Sequence, residues 1–149
     1  MKDTNLRSIV NLEMIAFGDS VIRSHDPPEI ECHYEEKECY GNMIDLCSIE
    51  LFPKYAYEFI ACEEKRMDYS RDGIMECATP AQVDGEIVVE CAENEQGLLL
   101  HMKAGERTPE NVSFPYILIN GNHVDLSQTT FKKAVCDAYT GERPSACDK

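Results

Sequence analysis

The chain has 149 residues, of which 43% are hydrophobic, and its 14 basic and 28 acidic side chains give a formal net charge of −14. A chain of this length predicts one domain, residues 1–149, able to bury about 70% of its unfolded surface. The negative charge would repel phosphate backbones and anionic lipid surfaces, so we expect no nucleic-acid partner. No apolar run reaches the roughly 18–20 residues needed to cross a bilayer, so we expect no membrane span. Residues 1–5 are polar and predict no signal peptide in this stretch.

Cysteine is the strongest compositional signal. An even number in a chain this short indicates a disulfide framework made in an oxidising compartment. Structural zinc sites usually take two ligands from one tight C-x₂₋₄-C knuckle, whereas Cys32, Cys39 and Cys47 are seven and eight residues apart. We therefore predict disulfides and no metal site. The eight cysteines are Cys32, Cys39, Cys47, Cys62, Cys77, Cys91, Cys136 and Cys147.

A glycosylation sequon agrees with this compartment. Asn111, Val112 and Ser113 form an N-x-S acceptor in a polar stretch, which predicts a sugar on Asn111. We therefore expect a secreted glycoprotein.

The first third of the chain predicts one strand and one loop. Residues 12–17 are apolar on both alternating faces apart from Glu13, a pattern typical of a strand covered on both sides. Residues 24–38 are polar, acidic and contain proline, so we expect a loop there. Its acidic side chains lack the alternating ligand pattern of a calcium loop, so we interpret them as solvated.

Residues 39–108 show a helical pattern and carry five of the eight cysteines. Ile44, Cys47 and Leu51 fall on one helical face, and Phe59 and Cys62 lie on another beyond Pro53. Two further helices are expected near residues 83–92 and 96–103. Cysteines on such faces predict bridges between helices.

The last third predicts a hairpin and a helix. Residues 115–119 are β-rich and end at Asn120-Gly121, which favours a tight hairpin turn. We expect the following helix to be capped by Asp125 or Ser127, with Gln128 as a capping-box partner. The predicted stop of that helix is Gly141.

Cysteine pairing stays open in the sequence, except for one favoured pair. Cys136 lies late in the last predicted helix, and a turn through Gly141 and Pro144 could return Cys147 to it. We favour a Cys136–Cys147 bridge and leave the other connectivities open.

Several of these motifs together resemble one family. Cys32, Glu38, Cys39, Asn42 and Cys47 have the spacing of the cysteine signature of the gamma-interferon-inducible lysosomal thiol reductases. Similar segments include residues 97–108, 114–121, 136–139 and 144–147, so the resemblance covers most of the chain. It implies an α/β chain with an incomplete thioredoxin-like fold and a disulfide-rich helical insertion at about residues 39–108. It also implies a cis-proline loop at Phe114 and Pro115.

The chain departs from the family pattern in two ways. His33, Tyr34 and Glu35 replace the usual Gln-His-Gly triplet, and no two cysteines have C-x-x-C spacing. The family's redox motif would precede the strand expected at residues 12–17. Thiol–disulfide exchange needs an attacking thiolate and a resolving thiol.

We therefore expect a non-catalytic secreted relative that binds another protein and needs no cofactor, similar to atypical insect members of the family. The alternative is a thiol–disulfide reductase acting on protein disulfides, with a lysosomal location.

One structural expectation follows from the resemblance, and another from the local sequence. Without the strand that carries C-x-x-C, the sheet should keep about three strands open on one side, or pair with a second chain as a homodimer. His101 follows an apolar stretch, and we interpret it as a core histidine rather than a catalytic base.

Overall fold

The computed structural model describes residues 4–148 and divides into two compact units. One unit contains residues 15–110, and the other is formed by the two ends of the chain, residues 4–14 and 111–148. The assignment of residues 1–149 to a single domain stays a prediction. Among residues 4–148, no helix combines the length and the apolarity that a bilayer crossing requires.

The unit of residues 15–110 begins with a β-hairpin and continues with five helices. Strands β1 (Val21–His25) and β2 (Pro28–Glu31) pair antiparallel, with an irregular register between Ile22 and Ser24. In chain order they come after α1 (Thr4–Arg7), which belongs to the other unit. The five helices are α2 (Glu35–Leu51), α3 (Ala56–Arg66), α4 (Arg71–Ala81), α5 (Gly85–Ala92) and α6 (Glu95–Arg107). This unit is therefore mainly helical.

Short polar side chains begin three of these helices. Ser70, Asp84 and Asn94 each precede a helix in extended conformation and accept a hydrogen bond from a backbone N–H of its first turn. Such caps satisfy donors that have no partner within the helix. The sequence thus sets the starts of α4, α5 and α6 locally.

The core of this unit lies around α2, which packs against α3, α5 and α6. Ile44, Phe59, Ile74 and Val88 are fully buried there. The Cys47–Cys91 disulfide joins α2 to α5, and Cys62–Cys77 joins α3 to α4. Bridges between helices are thus confirmed.

The unit formed by the chain ends is smaller. It contains α1 (Thr4–Arg7), the hairpin strands β3 (Leu118–Ile119) and β4 (Asn122–His123), α7 (Phe131–Ala138) and a 3₁₀ helix (Ser145–Asp148). Its core joins Leu6, Val135 and Ala146 with the buried Cys136, which is bridged to Cys147. This is the pair that the sequence favoured.

The expected strand at residues 12–17 is wrong. These residues form no strand, and Leu12 is 48% exposed. A strand needs a neighbour for its backbone hydrogen bonds, and the described residues contain only two separate two-stranded sheets, β1–β2 and β3–β4. The expected sheet of about three strands is therefore also wrong within residues 4–148. Pairing with a second chain stays a prediction.

Two local expectations also need correction. Residues 24–38 were predicted as a loop, but β2 and the start of α2 lie in them. The cap of the last helix is Thr130, whose side chain accepts a hydrogen bond from the backbone N–H of Lys133. Asp125 instead accepts hydrogen bonds from the Ser127 backbone and the Gln128 side chain. Its carboxylate therefore stabilises a turn ahead of the helix.

Candidate functional site

A disulfide and a buried histidine meet where the first hairpin enters the helices. Cys32 directly follows β2, and Cys39 lies on the second turn of α2, with their Cα atoms 5.6 Å apart. One ring nitrogen of His101, on α6, and the two sulfur atoms all lie within 4.8 Å of one another. Cys32 and His101 are buried, whereas Cys39 is half-buried. The disulfide thus has one accessible side and one side closed by the histidine.

The surroundings of His101 fix its protonation. The side-chain amide nitrogen of Asn42 lies 3.3 Å from Nε2 of His101 and 3.3 Å from the carbonyl oxygen of Phe17. The carbonyl can only accept, so this amide nitrogen donates; Nε2 then accepts, and the ring proton is on Nδ1. The Phe17 ring also packs edge-on against the imidazole.

Burial favours the same neutral state. It lowers the pKa of His101 to about 4, because the charged imidazolium would lose its hydration in this core. The histidine is only 1% exposed, so the prediction of a core histidine is confirmed. At neutral pH, His101 is a neutral hydrogen-bond donor beside a disulfide.

The two sulfurs and the imidazole nitrogen are close enough to share a metal ion if the disulfide is reduced. Zinc takes cysteine as the thiolate, and a sulfur bonded to another sulfur does not offer that ligand. The arrangement described here is therefore a disulfide with a neighbouring donor. The expected absence of a metal site stays a prediction.

All eight cysteines lie within the described residues, and none has a free thiol. The predicted disulfide framework is therefore present. The pairs are Cys32–Cys39, Cys47–Cys91, Cys62–Cys77 and Cys136–Cys147.

The predicted proline loop lies in the unit formed by the chain ends. The Phe114–Pro115 peptide bond is cis, and Phe114 is 41% exposed. Residues 112–116 and 123–127 line a groove of about 440 Å³. Tyr116 stacks on His123 at one side of it, with ring centroids 4.7 Å apart. Asn111, the predicted glycosylation site, is exposed just before this groove.

The structure brings together some of the predicted residues. Cys32, Cys39, Asn42 and His101 meet in the unit of residues 15–110. Phe114, Pro115 and Asn111 belong to the other unit. No local pattern indicated that His101 would lie beside the first two cysteines, because more than sixty residues separate it from each of them.

Two buried carboxyl groups were also missed. Asp45 on α2 and Glu63 on α3 are buried, and among the described residues Oδ1 of Asp45 and both carboxyl oxygens of Glu63 have no hydrogen-bond partner. A signal for Glu63 was present, because Ala56, Phe59 and Ile60 share a helical face with it. Helical periodicity therefore places this acid toward the core.

Comparisons with known proteins agree with the cysteine signature. The family model "Gamma interferon inducible lysosomal thiol reductase (GILT)" matches residues 1–81. A protein of that name from Carassius auratus is 28% identical over 95% of this chain and 61% of its own length. A GILT-like protein of Caenorhabditis elegans is 27% identical over 85% of this chain and 61% of its own length.

A third relative gives a similar coverage. GILT-like protein 1 of Drosophila melanogaster is 27% identical over 97% of this chain and 67% of its own length. The chain thus spans about three fifths of the length of the goldfish and nematode relatives. Because the family model covers more than half of the chain, the chain belongs to the gamma-interferon-inducible lysosomal thiol reductase family.

Proposed function

We propose that residues 1–149 act by binding another protein and do not by themselves turn over protein disulfides. One observation carries this proposal: all eight cysteines are paired. Thiol–disulfide exchange starts from a thiolate, and none is available in this arrangement. The family's chemistry would then have to come from groups outside these residues.

The groove beside Phe114 and Pro115 supports the binding role. Phe114, Leu118 and Leu126 expose large apolar side chains in the same small unit that holds the groove. Two of them, Phe114 and Leu126, line the groove itself, and apolar side chains exposed at one place are typical of surfaces that contact another protein. We therefore propose that the partner binds at the proline loop.

A reduction assay tests the catalytic half of this proposal. The chain is added to insulin and dithiothreitol at acidic and at neutral pH, with dithiothreitol alone as the baseline and thioredoxin as the positive control. We expect no turnover above the baseline. Turnover above the baseline that disappears after alkylation would show that residues 1–149 catalyse disulfide reduction.

A cross-linking experiment tests the binding half. A photoreactive phenylalanine replaces Phe114 in one variant and the similarly exposed Leu99 of α6 in a control variant. We expect a discrete adduct in the secreting cells for the first variant only. Equal adducts from both positions would show that the groove has no specific role.

The second candidate function is thiol–disulfide reduction. The neighbourhood of Cys32, Cys39 and His101 favours it, since a histidine donor beside a disulfide stabilises a leaving thiolate. The same insulin assay separates the two functions. In this case a Cys32→Ser, Cys39→Ser double variant would lose the turnover.

Family membership also supports proposals on fold, compartment and modification. We propose a thioredoxin-like arrangement in which the helices between residues 35 and 107 form the insertion. Four disulfides and an exposed Asn111 support a glycosylated protein of the secretory or lysosomal pathway. Mass spectrometry of the protein from its own cells would detect a glycan on Asn111 and identify the disulfide pairs in one experiment.

A further inference from the structure

We propose that Cys32–Cys39 is an exchangeable disulfide, the one bond of the four that a small dithiol opens first, and that His101 donates to the sulfur that leaves. This inference goes beyond the proposed function and does not rest on it. It assigns a redox site to these residues without assigning turnover of protein substrates.

Exposure alone does not single out this bond. Cys32–Cys39, Cys62–Cys77 and Cys136–Cys147 each join one buried and one half-buried cysteine, whereas both cysteines of Cys47–Cys91 are buried. On access to the sulfur, the first three would open at similar rates. A further group is needed to separate them.

His101 is that group. Among the side chains that the structure describes, only those of the Cys32–Cys39 bridge have an imidazole or carboxylate ligand atom within 4.8 Å of both sulfurs. Asn42 and Phe17 hold the ring with its proton on Nδ1, as derived above. The neutral imidazole can donate a hydrogen bond from Nδ1–H to a thiolate without first binding a second proton.

The geometry also sets the direction of the reaction. Cys39 is half-buried and receives the attacking thiolate, whereas Cys32 is 7% exposed and leaves toward the interior. As the bond breaks, the two sulfurs move apart to van der Waals distance. One ring nitrogen of His101 already lies within 4.8 Å of both sulfurs, and we infer that the Nδ1–H of this imidazole reaches the leaving sulfur as the bond opens.

The step balances with a dithiol as the reductant. Its first thiolate bonds to the Cys39 sulfur and the Cys32 sulfur leaves with the electron pair. Its second thiolate then attacks the mixed disulfide and releases Cys39. The dithiol is oxidised to a disulfide, the protein gains two electrons, and the two protons of the dithiol end on Cys32 and Cys39.

The start of α2 adds a smaller effect. The backbone N–H groups of a helix N-terminus favour a thiolate, and Cys32 lies three residues before this one. Glu36 and Glu38 in the first turn oppose that effect with negative charge. The selective element is therefore the histidine.

Timed reduction of the folded protein tests the proposal. Dithiothreitol is added at neutral pH with a chelator, samples are acid-quenched and alkylated, and the remaining disulfides are reduced and labelled with a second reagent. Mass spectrometry then gives the opening rate of each bridge. We expect Cys32 and Cys39 to be labelled about tenfold faster than the two equally exposed bridges, as a hydrogen bond to a charged group allows.

Variants identify the source of the selectivity. His101→Phe keeps a ring and removes the donor, so the advantage of Cys32–Cys39 should fall about tenfold. His101→Gln keeps an N–H and should retain most of it. Met102→Leu, at the next buried position of α6, controls for core disturbance and should leave the rates unchanged. Circular dichroism confirms that each variant is folded.

Asn42→Ala provides a second route if the His101 variants do not fold. It leaves the imidazole in place, removes the donor to Nε2 and should slow opening. The proposal is overturned if another bridge opens first, if the three half-buried bridges open together, or if loss of the donor leaves the rate unchanged. Turnover of insulin would instead contradict the proposed function, so the two failures are distinct.

Discussion

Glu63 on α3 contributes to the raised pKa of Asp45 on α2 inside the helical unit. Burial raises the pKa of Asp45 well above its usual value, and the charges of Glu64 and Glu63 add to that effect. Burial also raises the pKa of Glu63 to about 7, with further increases from Asp68 and Glu64 and a decrease from Arg66. Both carboxyl groups therefore favour the protonated form in the folded protein.

The first prediction is a pH dependence of stability. A carboxyl group with a raised pKa binds its proton more tightly in the folded chain, so it stabilises the fold below its unfolded pKa. That stabilisation is lost as the pH rises through its folded pKa. For Glu63 the window runs from about 4.5 to about 7. We expect chemical denaturation to give a higher free energy of unfolding at pH 5 than at pH 7.5.

His101 opposes this trend and must be separated from it. Its pKa is lowered to about 4 by burial, so its contribution is lost as the pH falls through the unfolded value toward the folded one. The raised pKa values of Asp45 and Glu63 therefore act against the lowered pKa of His101. We expect the two acids to outweigh the histidine, so that the protein is more stable at pH 5 than at pH 7.5. Glu63→Gln should reduce the difference between pH 5 and pH 7.5, whereas Glu90→Gln, on the exposed side of α5, should not. A lower stability at pH 5 in the unmodified chain would contradict the prediction.

The second prediction separates the true cap of α7 from the expected one. Thr130→Ala removes the side-chain oxygen that accepts from Lys133 and should cost about 1 kcal/mol of stability. Ser127 contacts Asp125 ahead of the helix through both its side chain and its backbone N–H. Ser127→Ala keeps the backbone hydrogen bond and leaves the cap at Thr130 intact, so stability should change by less than about 0.5 kcal/mol. Thermal denaturation of the two variants measures both values. Equal losses would show that the helix does not begin at Thr130.

Features of the fold that depend on neighbouring residues were predicted correctly from the sequence. Asn120 and Gly121 predicted a hairpin because its tight turn needs positive φ at both positions, and they adopt 49° and 79°. The helical periodicity around Ile44 and Cys47 was also sufficient, since both are fully buried. Such features depend on neighbours within a few residues.

Features that depend on distant residues were missed. Residues 12–17 have a strand pattern but form none, because a strand depends on a partner segment that its own residues do not specify. Strand β1 was missed because its side chains are exposed or only half-buried, which leaves little apolar alternation. The contact between His101 and the Cys32–Cys39 bridge likewise depends on how α6 packs.

The third prediction concerns the Cys136–Cys147 bridge. Replacing both cysteines by alanine should destabilise the unit of the chain ends by about 2–3 kcal/mol, since the bridge closes a short loop in the unfolded chain. Hydrogen exchange should accelerate in the 3₁₀ helix, where Ala146 would lose its anchor to Leu6 and Val135. Amides of α2 and α5 serve as the internal control, because Cys47–Cys91 still joins them. Unchanged exchange at Ala146 would show that packing alone holds this segment.

The last prediction is the tautomer of His101. Asn42 donates to Nε2, and burial lowers the pKa of the ring to about 4, so the imidazole should remain neutral with its proton on Nδ1 from pH 5 to pH 8. Nitrogen chemical shifts of ¹⁵N-histidine-labelled protein report which ring nitrogen carries the proton. Asn42→Ala removes the donor, so the Nε2-protonated form should then appear in the spectrum.

Leu99→Ala, on the exposed side of the same helix, should leave the shifts unchanged. Titration of His101 near pH 6.5, or a proton on Nε2 in the unmodified chain, would show that Asn42 does not orient the ring and would remove the donor on which selective opening of Cys32–Cys39 depends.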